Sequence, residues 1–352
     1  MARIVVIGAG MMGTACASHL VRGGHVVNLW GTELDKEIID ILKQGGEHKT
    51  LHAPVPQNIK FLQANQLEEA VNKREIVIIA IISHAVEKIV KRIVPFLRKG
   101  MIIINVAKGI PKTPYLTLCD LIEGLIPRSS DKKIPVVGMG GPARANELVR
   151  GIYTEVIFGG KNKKYAEYCS EITRNSQLKT NATCDITGVE LCAAMKNSYA
   201  IAVGMCQGLS ERLKKSMDNT KSAFVAQAIM EMAKLIVPQG GKLETIMGPA
   251  GIGDLYVTVQ GGRNGFLGKL LGRGTTIKKA MEEMKDQTIE GYPATKDIYR
   301  LAKELEKRSK LIIKKDLPLF KQLYAVLYEG KSAQKAIKNY WKINSKDIYT
   351  TN

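Results

Sequence analysis

The sequence predicts a two-part α/β protein, a doubly wound parallel sheet followed by an all-helical domain. Three observations predict it. Short apolar, β-branched runs at 4–7, 25–30, 76–82, 101–106, 134–139 and 155–159 alternate with helical patterns at 67–72, 84–97 and 115–125. Near-continuous apolar strands of this kind belong to a parallel sheet covered on both faces. After Thr187 the strand signals stop, and helical patterns run at 189–203, 219–237, 275–285, 294–306 and 317–328. The third observation is a glycine motif at the first junction of strand and helix.

That motif is Gly8-Ala9-Gly10-Met11-Met12-Gly13. It follows the run Ile4 to Ile7 and precedes a helical pattern that Gly23-Gly24 ends before the second strand. Strand, G-x-G-x-x-G, helix and strand within about thirty residues form the Rossmann context that makes the motif informative. Gly8 permits the tight turn, Gly10 lets backbone approach a pyrophosphate, and Gly13 lets helix and strand pack closely. The helix N-terminus offers unpaired N–H groups and a positive dipole end to phosphate. Trp30-Gly31-Thr32-Glu33 stands where an acidic residue for the ribose is expected. Glu33 is a candidate, while Thr32 and Lys36 tolerate a 2′-phosphate, so NAD and NADP both stay open. Residues 1–186 are assigned to the dinucleotide-binding domain, 187–344 to a helical substrate and catalytic domain, and 345–352 to a frayed tail.

The formal net charge is +19, from 52 Lys and Arg against 33 Asp and Glu. Such an excess favours anionic partners: phosphorylated ligands, acidic membrane surfaces or nucleic acid. The basic residues are dispersed, however, without a stripe interleaved with aromatics, which argues against nucleic acid. Six cysteines without paired spacing read as reduced thiols. The chain runs from Met1 directly into a strand, with no room for a signal peptide. No apolar run approaches the ~20 residues of a membrane span. The expectation is a soluble cytoplasmic protein.

Chemistry concentrates in four segments. Gly188 to Gly208 carries Glu190 and Asn197 on one face of a mostly apolar helix, with Lys196 about 100° round from Asn197. An ionised Lys is rarely buried without a partner, so Lys196 reads either as a snorkelling surface group or as a proton donor at the floor of a cleft. Lys108 follows the strand at 101–106, at a carboxyl strand end where ligands of open parallel sheets bind. Gly140-Gly141-Pro142-Ala143-Arg144-Ala145 forms another Gly-rich junction. Gly253-Asp254 and Gly261-Gly262-Arg263-Asn264-Gly265 bracket Thr258, and the Arg-Asn pair suits a planar grip on phosphate. His48 and His52 lack a zincin register, and no metal site is expected. Two lysines beside a dinucleotide fold point to carbonyl reduction, with hydride on one side and protonation on the other.

Taken in order, Gly8 to Ala15, Lys108-Gly109, Gly141-Pro142, Gly188-Val189-Glu190, Met195-Lys196-Asn197, Gly253-Asp254-Leu255, Gly262-Arg263-Asn264 and Ile289-Glu290-Gly291-Tyr292 resemble the NAD(P)-dependent glycerol-3-phosphate dehydrogenases across almost the whole chain. Trp30 to Glu33, Glu47-His48 and Gly261-Gly262-Arg263-Asn264-Gly265 look closest to archaeal-type members. The resemblance implies a Rossmann domain and an all-α C-terminal domain like that of 6-phosphogluconate dehydrogenase. It implies interconversion of dihydroxyacetone phosphate and sn-glycerol 3-phosphate, feeding the glycerol phosphate pool of phospholipids, and a homodimer is expected.

Residue by residue, the resemblance makes Lys196 the catalytic lysine, with Lys108, Asn197, Asp254 and Thr258 around it. Arg263 and Asn264 hold the substrate phosphate, with Gly141 and Gly262 beside the substrate. Met11, Met12, Thr32, Lys108, Ala145, Arg263 and Glu290 join the three motif glycines near the cofactor. Gly262 and Gly265 depart from a frequent bacterial pattern, which has Ser before the Arg-Asn pair and a second Arg after it. Ala143 likewise replaces a frequent Ser or Thr. The rival readings are a β-hydroxyacid or ketopantoate-type reductase, a non-catalytic nucleotide-sensing module, and a basic nucleic-acid binder.

Overall fold

The computed structural model describes residues 1–112, 114–127 and 134–343. The expected frayed tail therefore lies outside the described residues. The chain divides into two compact units, Met1–Glu190 and Leu191–Asn352.

The first unit is built on one eight-stranded sheet. Its strands are β1 (Arg3–Ile7), β2 (Val26–Trp30), β3 (Lys60–Leu62), β4 (Ile76–Ile79), β5 (Ile102–Asn105), β6 (Val136–Gly140), β7 (Thr154–Gly160) and β8 (Leu178–Thr183), in the spatial order β3-β2-β1-β4-β5-β6-β7-β8. Both faces are covered, as the unbroken apolar runs require. Along β1, Ile4 and Val6 enter one core and Val5 and Ile7 the other, all with no exposed surface.

The expectation of a wholly parallel sheet needs one correction. Strands β6 and β7 pair antiparallel, Val137 opposite Gly160 and Gly140 opposite Ile157. The chain between them makes a short turn and the four-residue helix Ala145–Leu148, and β7 returns alongside β6 in the opposite direction. Strands β3 and β8 carried no clear sequence signal. One is three residues long, and the other, Leu-Lys-Thr-Asn-Ala-Thr, is a polar edge strand of the kind that discourages further pairing.

The second unit is helical. The helix Ile186–Leu213 crosses the division, and it is longer than its propensity suggests because Gly204 and Gly208 do not end it. A Cβ on Gly204 would lie 2.3 Å from the carbonyl oxygen of Gly265, and one on Gly208 1.9 Å from that of Lys269. From the facing helix Arg263–Arg273, a Cβ on Gly268 would lie 2.1 Å from the Ile201 oxygen, and one on Gly272 2.1 Å from the Met205 oxygen. The two helices touch backbone to backbone, a contact only glycine allows.

The carboxyl of Glu231, which has no exposed surface, ties three helices together. It accepts hydrogen bonds from Tyr199 Oη (3.0 Å), Gln227 Nε2 (3.0 Å) and the main-chain N–H groups of Leu319 (2.6 Å) and Phe320 (2.9 Å). The last two are orphan donors in the first turn of the helix Pro318–Tyr328. Among the described residues, no helix is long and apolar enough to cross a membrane.

Candidate active site

In the first unit the glycine motif adopts the geometry its spacing predicts. Gly8 has φ +105°, and a Cβ there would sit 2.6 Å from the Ala80 carbonyl oxygen. A Cβ on Gly13 would sit 1.9 Å from the Gly8 oxygen. Gly10 differs: no atom lies within 4 Å of its Cβ position. It is the N-cap of the twelve-residue helix Met11–Arg22 and supplies no side-chain cap to its N–H groups. Open space and uncapped donors at one helix N-terminus fit a dinucleotide pyrophosphate.

The acidic group beside this loop is Asp35, not Glu33. Its Oδ2 accepts from Thr32 N and Thr32 Oγ1, both at 2.8 Å, and from Ala9 N at 3.3 Å. Glu33 turns instead to Arg92, at 2.9 Å and largely exposed. Only the last Thr32-to-Asp35 turn, a 3₁₀ segment with a capping box, brings the carboxylate back to the motif.

Lys108 stands half-buried just beyond β5, and Asn105 shapes its loop. Asn105 Oδ1 accepts from Ala107 N at 3.2 Å, and its Nδ2 donates to Ala107 O at 3.1 Å and to Glu190 Oε1 at 3.0 Å. Glu190 Oε2 also accepts from Cys119 N at 3.2 Å. Burial pushes the Glu190 carboxyl up to about 7, against the pull of these donors. Gly141 takes φ +121°, where a Cβ would sit 2.9 Å from the Glu155 oxygen. Ala145 opens the helix Ala145–Leu148, and with Met11 and Met12 it packs half-buried on the sheet core.

In the second unit Lys196 and Asp254 form a buried ion pair, their side chains 8% and 1% exposed. Lys196 is therefore not a snorkelling surface group. Asp254 follows a five-residue π-helical turn, Pro249–Gly253, a rare geometry that is frequent at functional sites. A Cβ on Gly251 would lie 1.9 Å from the Ile246 oxygen, so this turn also depends on glycine. Thr258 Oγ1 donates to the main-chain oxygen of Asp254 at 2.6 Å and so steadies the turn that presents the carboxylate.

Beside Lys196 in sequence, Asn197 Nδ2 donates to Glu290 Oε2 at 3.0 Å. Gly291 N donates to Asn264 Oδ1 at 2.8 Å, leaving the Asn264 amide nitrogen as a donor. Asn197, Asn264, Glu290 and Gly291 thus form one cluster, and a Cβ on Gly291 would sit 2.5 Å from the Asn197 oxygen. Arg263 is exposed at the first position of its helix. Gly262 before it has φ +98° and ψ 174°, a region essentially reserved for glycine. That conformation accounts for the departure from Ser at this position. Among the site features, the glycine contacts between helices and the Asn105–Glu190 pair left no sequence signal that spacing alone would reveal.

Residues 3–166 match the family described as NAD-dependent glycerol-3-phosphate dehydrogenase N-terminus, and residues 185–338 match its C-terminus. The NADP(+)-dependent glycerol-3-phosphate dehydrogenase of Archaeoglobus fulgidus is 34% identical over 339 residues, 95% of this chain and 97% of the relative. The glycerol-3-phosphate dehydrogenase [NAD(P)+] of Agathobacter rectalis is 33% identical over 341 residues, 96% of this chain and 95% of that one. Among solved structures, glycerol-3-phosphate dehydrogenase from Coxiella burnetii superposes with a TM-score of 0.84 at 27% identity, covering 97% of this chain and 99% of its own. With both halves of the family pattern present and near-complete overlap with these relatives, the chain belongs to the NAD-dependent glycerol-3-phosphate dehydrogenase family.

Proposed function

We propose that the protein interconverts dihydroxyacetone phosphate and sn-glycerol 3-phosphate. The observation that carries the proposal is the buried pair of Lys196 and Asp254 in a chain of this family. When bound, the nicotinamide cofactor supplies or takes up the hydride. The Gly8 to Gly13 turn receives its pyrophosphate. Lys196, as ammonium, donates a proton to the alkoxide that develops on the ketone oxygen, a form of positioned acid catalysis that typically contributes about a hundred- to ten-thousandfold. Asp254 compensates the buried charge of Lys196 and fixes its direction. Lys108 hydrogen-bonds the substrate. Arg263 and the amide nitrogen of Asn264 hold the phosphate, the first with a planar fork and the second as a neutral donor. Asn197 and Glu290 brace each other within the same cluster.

The assignment of 1–186 to the dinucleotide and 187–344 to substrate and catalysis belongs to this proposal. So do the homodimer, which light scattering tests, and a cytoplasmic setting, which fits six free cysteines. The deciding experiment follows oxidation of NADH and of NADPH with dihydroxyacetone phosphate, unphosphorylated dihydroxyacetone and ketopantoate. Strong preference for the phosphorylated ketone is expected. Equal rates on both dihydroxyacetone forms, or turnover of ketopantoate alone, would overturn the proposal.

A further inference from the structure

Three side chains from three separate segments converge on one peptide group in the middle of the glycine motif. Ala9 is completely buried. Its N–H donates to Asp35 Oδ2 at 3.3 Å. Its carbonyl oxygen lies 3.1 Å from Thr14 Oγ1, which donates to it, and 3.2 Å from His48 Nε2. Thr14 belongs to the helix Met11–Arg22 and Asp35 to the turn after β2. His48 comes from neither, but from the irregular segment after the helix Lys36–Lys43.

The tautomer of His48 follows from its other nitrogen. His48 Nδ1 lies 3.2 Å from Thr50 N and 3.3 Å from Leu51 N, and both are donors. Nδ1 must therefore be the acceptor and carry no proton, which leaves Nε2–H to donate to Ala9. The ring is 1% exposed and has all its polar atoms engaged as a neutral imidazole. The segment around it is tied down in turn: Arg150 Nη2 donates to Leu51 O at 3.0 Å and to His52 O at 2.9 Å.

We propose that His48 is a positioning residue for the dinucleotide, a neutral imidazole strut that holds the Ala9 peptide, and with it Gly8 and Gly10, in the shape that receives the pyrophosphate. A second proton on His48 would put N–H against the N–H groups of Thr50 and Leu51, so acid releases the strut. Cofactor affinity then falls as the ring protonates. The charged and titratable groups facing it are few. Asp35 favours the imidazolium, His52 opposes it, and burial, the largest influence, keeps the ring neutral to below its ordinary range. Arg150 reaches the same segment through main-chain oxygens, while neighbouring Lys49 pairs with Glu37 at the surface. This inference rests on the assignment of the dinucleotide to the Gly8 to Gly13 turn.

The test is calorimetric titration of NAD+ and NADP+ into the full-length chain and its variants at about pH 5 and about pH 7.5, values chosen on either side of the imidazole range. The wild type should bind several-fold more weakly at the lower pH. His48→Ala should weaken binding about tenfold at the higher pH, as expected for a lost buried hydrogen bond. His48→Gln keeps one donor and one acceptor but cannot take up a proton. It should restore binding at the higher pH and abolish the difference between the two. Urea midpoints separate loss of fold from loss of affinity in either variant. A Gln variant that keeps the wild-type pH dependence, or a folded Ala variant with unchanged affinity, would overturn the role of His48. A wild type that binds neither nucleotide would instead remove the cofactor assignment on which it rests.

Discussion

Lys196 and Asp254, 58 residues apart in sequence, meet in an almost fully buried ion pair, one on the long helix Ile186–Leu213 and the other at the first residue after a π-helical turn. Removing one partner of such a pair leaves an uncompensated buried charge, which costs about 3–5 kcal/mol. Lys196→Met should therefore lose both turnover and stability. Combining it with Asp254→Leu should recover much of the stability, because an apolar pair replaces the ions, but none of the turnover. Urea denaturation and NADH oxidation, measured on the two variants side by side, check both halves. Turnover in the double variant above about one per cent of wild type, which corresponds to the smallest loss expected for an acid catalyst, would refute the proton-donor role.

Gly10→Val is a clean probe of the nucleotide site. Nothing lies within 4 Å of the Cβ position, and φ −67° with ψ −179° suits a branched residue. The variant should fold with a melting temperature close to wild type and lose affinity for both cofactors. Gly13→Ala should behave differently, since its Cβ would lie 1.9 Å from the Gly8 oxygen and the turn itself must shift. Thermal melts and cofactor titrations of the two variants distinguish space that is open for a ligand from space that the fold has closed.

Arg263→Lys keeps the charge and loses the planar two-pronged contact. A charge-assisted hydrogen bond is worth about 1.5–3 kcal/mol, roughly a ten- to hundredfold effect. Arg263 is exposed at a helix start, so the substitution should leave stability alone. The loss should appear in kcat/KM for dihydroxyacetone phosphate and nearly vanish for unphosphorylated dihydroxyacetone. Equal losses on both ketones would assign Arg263 to the cofactor or the fold.

Glu190 should make stability depend on pH near neutrality. Burial raises its carboxyl from 4.5 to about 7 in the folded chain. A raised value means that folding favours the neutral form. Its stabilising contribution is complete below about 4.5 and is lost as pH rises through about 7. The size of that loss is about 3 kcal/mol at most. Urea midpoints recorded between about pH 5 and about pH 8.5 should fall for the wild type, and Glu190→Gln should reduce that fall without abolishing it, because burial raises the Glu231 carboxyl to about 7 as well. The same slope in both proteins would show that another group is responsible.

The sequence by itself determined the sheet-then-helix order, the close backbone turn of the glycine motif, and the family. Each of these rests on local periodicity or on spacing within a few residues, which a chain displays before it folds. Tertiary structure decided the rest. Lys196 carried two readings until Asp254 was found against it, because the partner lies on another helix. Asp35 and His48 become part of the glycine turn only when their segments fold back on Ala9. Helix Arg263–Arg273 contains three glycines that propensity counts against it, and it stands because two backbones need that closeness to meet. The polar strand β8 exists because β7 offers it an edge, with six residues paired from Thr154 opposite Leu178 to Gly159 opposite Thr183. The physical reason is common to all four. A buried charge, a side-chain strut, a glycine contact and an edge strand each draw their energy from an atom far away in sequence, and only the folded chain brings that atom near.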